Sequence, residues 1–218
     1  MNFKMISYIL GWILIFESLF MIVPSVTAVC YGESALWYFL ITAAVCLAIG
    51  GLLIRKKPER KQLYSREGNV IVALSWILLS IFGAIPFYIS GEIPSYLDAL
   101  FETVSGFTTT GASILSEVES MPKSMLMWRS FTHWVGGMGV LVFIMAFLPL
   151  AGAQNMHIMK AESPGPSVSK LVPKVKSTAI MLYKIYFVLT IMEFVALLLC
   201  GMSVFDALNT SFATAGTG

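Results

Sequence analysis

Two stretches rich in threonine and glycine decide how this chain folds: SGFTTTGAS at residues 105–113 and SFATAGTG at residues 211–218. We call them the first and second Thr/Gly segments. Each follows a short stretch of helical character that opens with the same Asp-Ala-Leu triplet, beginning at Asp98 in one copy and at Asp206 in the other. The repetition predicts that the two segments have the same role.

The composition around these segments is that of a membrane protein. Of the 218 residues, 57% are hydrophobic and only 12% are charged, which is too apolar for a soluble domain. Crossing the hydrocarbon layer takes about 20 apolar residues in a helix. The chain offers five such candidates: Met5–Val29, Trp37–Ile54, Asn69–Ser90, Phe131–Leu150 and Ala179–Met202. The predicted fold class is therefore an all-α polytopic membrane protein.

Basic residues predict the orientation of these spans. Residues 55–66, RKKPERKQLYSR, hold six basic residues against the single acid Glu59. The positive-inside rule places this loop in the cytoplasm, and with two spans before it the N-terminus lies there too. The lysine-rich loop that contains Lys160 and Lys176 falls on the same side, so two separate basic loops favour one topology.

The same topology leaves the acidic loop residues outside, where an acidic vestibule would concentrate cations. These residues are Glu33, Glu92, Asp98, Glu102, Glu117, Glu119 and Asp206. The positive-inside rule alone would also leave acids on the outer side. Asp98 and Asp206 have a second interpretation, as caps of the two short helices.

The short helices are too short and too polar to cross the membrane. The first, PSYLDALFETVSGF, has a helix start at Pro94 and Ser95. It either lies on the surface or dips into the membrane and returns, and irregular backbone at membrane depth must be buried by protein or line a watery cavity. If Gly111 corresponds to Gly216, the first glycine lies three residues further from its Asp-Ala-Leu triplet than the second. This difference predicts that the first helix is about one turn longer.

The Thr/Gly segments have the composition that backbone coordination of a cation requires. Potassium can exchange its hydration water for rings of backbone carbonyl oxygens, provided that an extended strand points them toward one axis. Glycine permits the unusual backbone angles, and a helix that ends at the site directs its negative dipole end at the cation. The predicted potassium-binding residues are Thr109, Thr110, Gly111, Thr214, Ala215 and Gly216. The alternative is a Thr/Gly-rich outer loop.

The chain thus divides into three parts. Residues 1–66 are predicted to form two leading helices and a basic cytoplasmic loop. Residues 67–160 form a first repeat of helix, pore helix, filter and helix that resembles potassium channels, and residues 161–218 form a cytoplasmic loop and an incomplete second repeat. Because the second copy stops at Gly218, before a returning helix, we expect the sequence to be part of a longer protein.

The first Thr/Gly segment, the preceding YLDALFETV and the following WRSFTHWVGGMGVLVFIMAFLP at residues 128–149 resemble the Trk/Ktr/HKT superfamily of potassium transporters, and its TrkH-like members in particular. The resemblance covers nearly the whole chain. It implies potassium uptake across the bacterial inner membrane, with potassium itself as the bound ion, by a translocating subunit with four pore repeats. It also implies a homodimer embedded in membrane lipid. The expected partner is a cytosolic nucleotide-binding regulatory subunit, TrkA-like, and no nucleic acid is expected to bind.

Other function classes fit less well. A sodium- or proton-coupled potassium symporter built on broken helices predicts inverted repeats, whereas the two copies here share one orientation. An enzyme would need a nucleophile–base or metal constellation, and a scaffold would leave the paired segments unexplained. Within the spans, we expect Glu17 to form an interhelical hydrogen bond and His133 and Trp134 to pack. Three glycines are expected to allow close helix contact: Gly136, Gly137 and Gly139.

Overall fold

The structure is a computed structural model that describes residues 2–55, 58, 65–118, 120–139 and 175–217. All regular elements within these ranges are helices. In chain order they are α1 (Phe3–Phe20), α2 (Ile22–Tyr31), α3 (Leu36–Ile54), α4 (Ser65–Gly83), α5 (Ile85–Ile89), α6 (Tyr96–Phe107), α7 (Lys123–Gly137), α8 (Val175–Leu199) and α9 (Val204–Ala215).

Four of the predicted membrane spans are confirmed by the length and composition of the helices. They are Phe3–Tyr31, Leu36–Ile54, Arg66–Ile89 and Ile180–Leu199. The first and third are interrupted, at Met21 between α1 and α2 and at Ala84 between α4 and α5. Pro24 and Pro86 account for these breaks, because proline lacks the backbone donor and its ring crowds the carbonyl four residues earlier.

The predicted fourth span, Phe131–Leu150, differs from the structure at its start. α7 begins earlier, at Lys123, and ends at Gly137, followed by Gly139 in the left-handed region with φ +63°. The polar residues between Lys123 and Ser130 lower the local hydropathy, yet most residues of this part of the helix are buried by neighbouring helices. Residues 140–150 of the predicted span lie outside the described residues.

Close packing of α1 against α3 depends on two glycines that face each other. A Cβ atom built on Gly11 would lie 2.9 Å from the Gly50 carbonyl oxygen, and one built on Gly50 would lie 2.7 Å from the Gly11 carbonyl oxygen. Any larger residue would force the helices apart. Small residues at a crossing let membrane helices gain dispersion contacts along their length, so this pair sets the distance between the leading helices.

Trp128 on α7 lies in the hydrophobic core. Its side chain is fully buried, its ring contacts those of Phe39 and Phe107, and its indole nitrogen donates a 2.9 Å hydrogen bond to the Gly83 carbonyl. A buried indole nitrogen needs such a partner. Trp128 therefore joins α3, the end of α4 and the end of α6 to α7, and α7 is the helix around which the candidate site is arranged.

The N-terminus of α7 is held by a residue from the leading helices. The Glu33 carboxylate, in the loop after α2, accepts hydrogen bonds from the backbone nitrogens of Lys123 at 2.7 Å and Ser124 at 3.0 Å, and from the Ser124 hydroxyl. The first backbone donors of a helix have no partner within the helix, and a carboxylate also suits the positive end of its dipole. Glu33 thus fixes α7 relative to α2.

Candidate ion-binding site

The two short helices α6 and α9 are constructed alike. Both contain 12 residues, and each begins after a serine whose hydroxyl accepts a hydrogen bond from the aspartate nitrogen three positions on: Ser95 from Asp98, and Ser203 from Asp206. The predicted start at Ser95 is confirmed. The prediction that the first helix is one turn longer is wrong. The cap residue of each helix is its serine rather than the predicted aspartate, which lies within the first turn.

The C-terminal ends of these helices define how the two Thr/Gly segments correspond. Thr108 and Gly216 are the matching C-caps, with φ/ψ of −87°/2° and −84°/2°. The next residues, Thr109 and Thr217, both have positive φ, 53° and 60°. The starts and the ends of the two helices are therefore separated by the same number of positions along the chain, 108, and Thr109 corresponds to Thr217. The sequence pairing of Gly111 with Gly216 is wrong, because it matched letters rather than helix ends.

The backbone of the first Thr/Gly segment is not the extended strand that we predicted. Thr109 has φ 53° and Gly111 has φ 74°, whereas the intervening Thr110 is not among the residues with positive φ. In an extended strand successive carbonyls point to opposite sides. Alternating backbone handedness can instead turn successive peptide groups to a common side, which is what a set of carbonyl ligands around one cation requires. The alternating sign of φ from Thr109 to Gly111 is compatible with such an alignment, and the alignment itself stays a prediction.

The two Thr/Gly segments meet. The Thr217 hydroxyl lies 3.4 Å from the Thr109 carbonyl oxygen and donates to it, although 108 positions separate the residues. Each segment directly follows the C-terminus of its helix, so the negative ends of two helix dipoles lie next to this contact. The arrangement gathers backbone and hydroxyl oxygens, with no basic group among the contacting residues, and it suits a cation.

Glycines at the end of α7 allow this convergence. A Cβ atom built on Gly136 would lie 3.0 Å from the Gly106 carbonyl oxygen at the end of α6. One built on Gly137 would lie 3.2 Å from the Gly216 Cα atom at the end of α9. The predicted close approach at both glycines is confirmed, and α7 touches the ends of both short helices through them.

His133 and Trp134 take part in packing beside the site. The His133 ring is buried, its Nδ1 donates a 3.0 Å hydrogen bond to the Arg129 carbonyl, and a Cβ atom on Gly216 would come within 2.8 Å of its Cβ. The Trp134 indole nitrogen donates a 3.1 Å hydrogen bond to the Thr190 hydroxyl on α8. Both side chains are thus used in helix packing, as predicted.

The predicted ligands occupy different environments. Thr110 and Gly111 are exposed and Thr109 is half-buried at the meeting point of the segments. Thr214 and Ala215 form the end of α9, where the Thr214 carbonyl accepts a 2.9 Å hydrogen bond from the Thr217 nitrogen, and Gly216 is buried against His133. Ion binding by these residues stays a prediction.

The acid Glu102 lies behind the first segment rather than in an open vestibule. Its side chain is 1% exposed and forms a 2.5 Å ion pair with the Arg129 Nε. It also accepts hydrogen bonds of 3.1 Å from the Ser113 hydroxyl and the Ile114 nitrogen. The vestibule prediction is therefore wrong for Glu102, and also for Glu33, which is bound at the N-terminus of α7. Glu119 lies outside the described residues.

Glu17 is buried without the hydrogen bond expected of it. The side chain is 0% exposed, and neither carboxyl oxygen has a hydrogen-bond partner among the residues that the structure describes. Its Oε1 lies 3.4 Å from the position that a Cβ atom on Gly83 would occupy. The residue thus lies at the break between α4 and α5.

Comparison with known proteins identifies the family of the chain. The family model TrkH, described as a cation transport protein, matches residues 36–218. The chain is 41% identical to the Trk system potassium uptake protein TrkH of Escherichia coli K12, and all of the chain aligns with 46% of that protein. It is 37% identical to the Trk system potassium uptake protein TrkG of the same organism, over 99% of the chain and 45% of that protein.

A solved structure is also similar. The crystal structure of the potassium transporter TrkH from Vibrio parahaemolyticus superposes with a TM-score of 0.80 at 35% identity, over 97% of this chain and 42% of that one. The chain spans about half the length of the curated relatives that it matches. A family model that covers most of the chain and a shared fold at this level of identity lead to one conclusion: the chain belongs to the TrkH family of cation transport proteins.

Proposed function

We propose that this chain contributes half of a potassium pore in a translocating subunit of the bacterial inner membrane. The single observation that carries the proposal is the hydrogen bond from the Thr217 hydroxyl to the Thr109 carbonyl, which joins the two Thr/Gly segments. Relatives of the chain are named potassium uptake proteins, which supports potassium as the transported ion. The family is one of cation transport proteins rather than enzymes.

The proposed ligands are mainly backbone carbonyl oxygens. In the first segment they belong to Thr109, Thr110 and Gly111, and we infer from the alternating sign of φ that their carbonyls turn to one side. In the second segment the sequence predicted Thr214, Ala215 and Gly216. We add Thr217, because it corresponds to Thr109 and contacts it directly.

The wider setting of the pore is also part of the proposal. The three-part organisation into residues 1–66, 67–160 and 161–218 would supply two leading helices, one full pore repeat and the start of a second. The N-terminus and the basic loop at residues 55–66 would face the cytoplasm. There the translocating subunit, as a homodimer, would contact a nucleotide-binding regulatory subunit.

Uptake by the full-length protein tests the proposal. In a bacterium that lacks its own potassium uptake systems, expression should restore growth at low potassium, and rubidium uptake should be inhibited by potassium far more than by sodium. Failure to restore growth, in cells that contain the protein in their membrane, would overturn it. Dependence of uptake on a sodium or proton gradient would favour the symporter alternative over passive permeation.

A further inference from the structure

We propose that Glu102 and Arg129 are positioning residues that determine ion selectivity by fixing the far end of the first Thr/Gly segment. The inference rests on the proposed function. It assigns a role to a buried ion pair that touches no proposed ion ligand, and it acts through the loop of residues 113–115.

The near end of the segment is fixed by α6 itself. Thr108 continues the helix and its hydroxyl donates a 2.7 Å hydrogen bond to the Val104 carbonyl. The Thr110 nitrogen then donates a 2.9 Å hydrogen bond to the Ser105 carbonyl. These bonds hold the chain up to Thr110 but leave Gly111 and the residues after it to be held by other groups.

Glu102 holds the far end. Its two carboxylate oxygens each lie 3.1 Å from the Ser113 hydroxyl, and one of them lies 3.1 Å from the Ile114 nitrogen. The Ser113 hydroxyl accepts in turn from the Leu115 nitrogen at 3.1 Å. Glu102 is itself on α6, so one short helix closes a loop around Thr109–Gly111 by holding both of its ends.

Arg129 on α7 fixes the position of Glu102. The Arg129 Nε lies 2.5 Å from Glu102 Oε1, and the side chains are 16% and 1% exposed. A charge-assisted hydrogen bond in such a water-poor environment is directional and strong, and removal of one partner leaves the other charge buried and unpaired. The carboxylate can therefore shift little, and neither can the loop bound to it.

Selectivity should depend on this anchoring. Potassium and sodium differ in size, and discrimination by carbonyl oxygens depends on how many surround the ion and where they are held. A segment released at its far end can contract around the smaller ion. At the position corresponding to Glu102 the second repeat has the uncharged residue Thr210.

The test compares potassium and sodium uptake by full-length variants in cells without their own potassium uptake systems. Glu102→Gln keeps the shape of the side chain and removes its charge, and should lower the potassium-to-sodium uptake ratio about tenfold, the effect of one lost charge-assisted hydrogen bond. Ser113→Ala leaves the ion pair intact and should lower the ratio about threefold, since it removes an uncharged hydroxyl that donates to Glu102 and accepts from the Leu115 nitrogen. Thr210→Val and Glu92→Ala, the latter at an exposed acid in another loop, are the controls and should leave the ratio at the wild-type value.

A charge swap separates positioning from a purely structural ion pair. The double variant Glu102→Arg with Arg129→Glu restores a pair of opposite charges but places a donor where Ser113 and Ile114 need an acceptor. We expect protein in the membrane at a normal amount with a lowered ratio. A wild-type potassium-to-sodium uptake ratio in the charge-swap variant would overturn the inference. An unchanged ratio in the Ser113→Ala variant, with the protein present in the membrane at a normal amount, would also overturn it. Absence of potassium uptake by the wild-type protein would instead overturn the proposed function beneath it.

Discussion

The Thr217 hydroxyl donates a hydrogen bond of 3.4 Å to the Thr109 carbonyl, and in doing so it joins two segments that are 108 positions apart. Both residues follow the C-cap of a 12-residue helix and both have positive φ. Equivalent positions of two repeats thus meet each other, which is the geometry expected if both repeats contribute to one pore.

Glycine at position 111 should be required for selectivity rather than for folding alone. Gly111→Ser places a side chain at φ 74° within the proposed ligand segment and disturbs its carbonyls, at a backbone cost of about 1 kcal/mol. We expect the potassium-to-sodium uptake ratio of the full-length protein to fall. Gly91→Ser is the matched control, because Gly91 has φ 81° and open space around it. An equal fall in both variants would show that strain, and not the site, was measured.

The crossing of α1 and α3 should tolerate no Cβ at position 50. Gly50→Ala brings a methyl group within 2.7 Å of the Gly11 carbonyl oxygen and should reduce stability by about 1–3 kcal/mol through overpacking. Thermal unfolding of the full-length protein in detergent measures the effect. The neighbouring Gly51 has nothing within 4 Å, so Gly51→Ala should be neutral or slightly stabilising. Comparable losses in the two variants would contradict the packing at this crossing.

Glu33 should stabilise the protein through the N-terminus of α7. Glu33→Ala removes the acceptor for the Lys123 and Ser124 nitrogens and should cost about 1–3 kcal/mol. Glu92→Ala, at an exposed acid in another loop, should change stability by less than about 0.5 kcal/mol. The same detergent assay checks both. If Glu33→Ala unfolds like the wild type, the cap contributes nothing to stability.

The orientation of the chain predicts which residues a membrane-impermeant thiol reagent reaches in intact cells. The exposed native thiols Cys30 and Cys200 and the buried Cys46 are first replaced by serine or alanine. Glu117→Cys should then be labelled from outside, whereas Arg55→Cys should be labelled only after the cells are opened. Labelling of Arg55→Cys in intact cells would reverse the topology.

Local signals in the sequence were sufficient to predict most of the helices and the residues at which the two short helices begin. Ser95 and Ser203 begin the short helices because a serine cap and the donors it satisfies lie within a few residues of each other. Hydropathy sufficed for four spans, but it missed the first part of α7, where Ser124 and Ser130 are buried by other helices. The burial of those residues depends on neighbours that are distant in the sequence.

The details of the site depended on relationships between distant residues. The Thr and Gly letters suggested a pairing of Gly111 with Gly216, whereas the helix ends pair Thr109 with Thr217. Glu102 looked like an outer charge, although it shares a helical face with the buried Ala99 and Gly106. That spacing could have indicated its burial. Its partner Arg129 lies on another helix, and no local pattern joins the two.

In the proposed pore, oxygens of both Thr/Gly segments together replace the hydration shell of a potassium ion. The most direct measurement is the anomalous scattering of thallium(I), a potassium substitute, in crystals of the full-length protein. We expect a peak within coordination distance of the Thr109 carbonyl oxygen and on the side shared with Thr217. Bound thallium elsewhere in the protein, with no peak between these two segments, would contradict it.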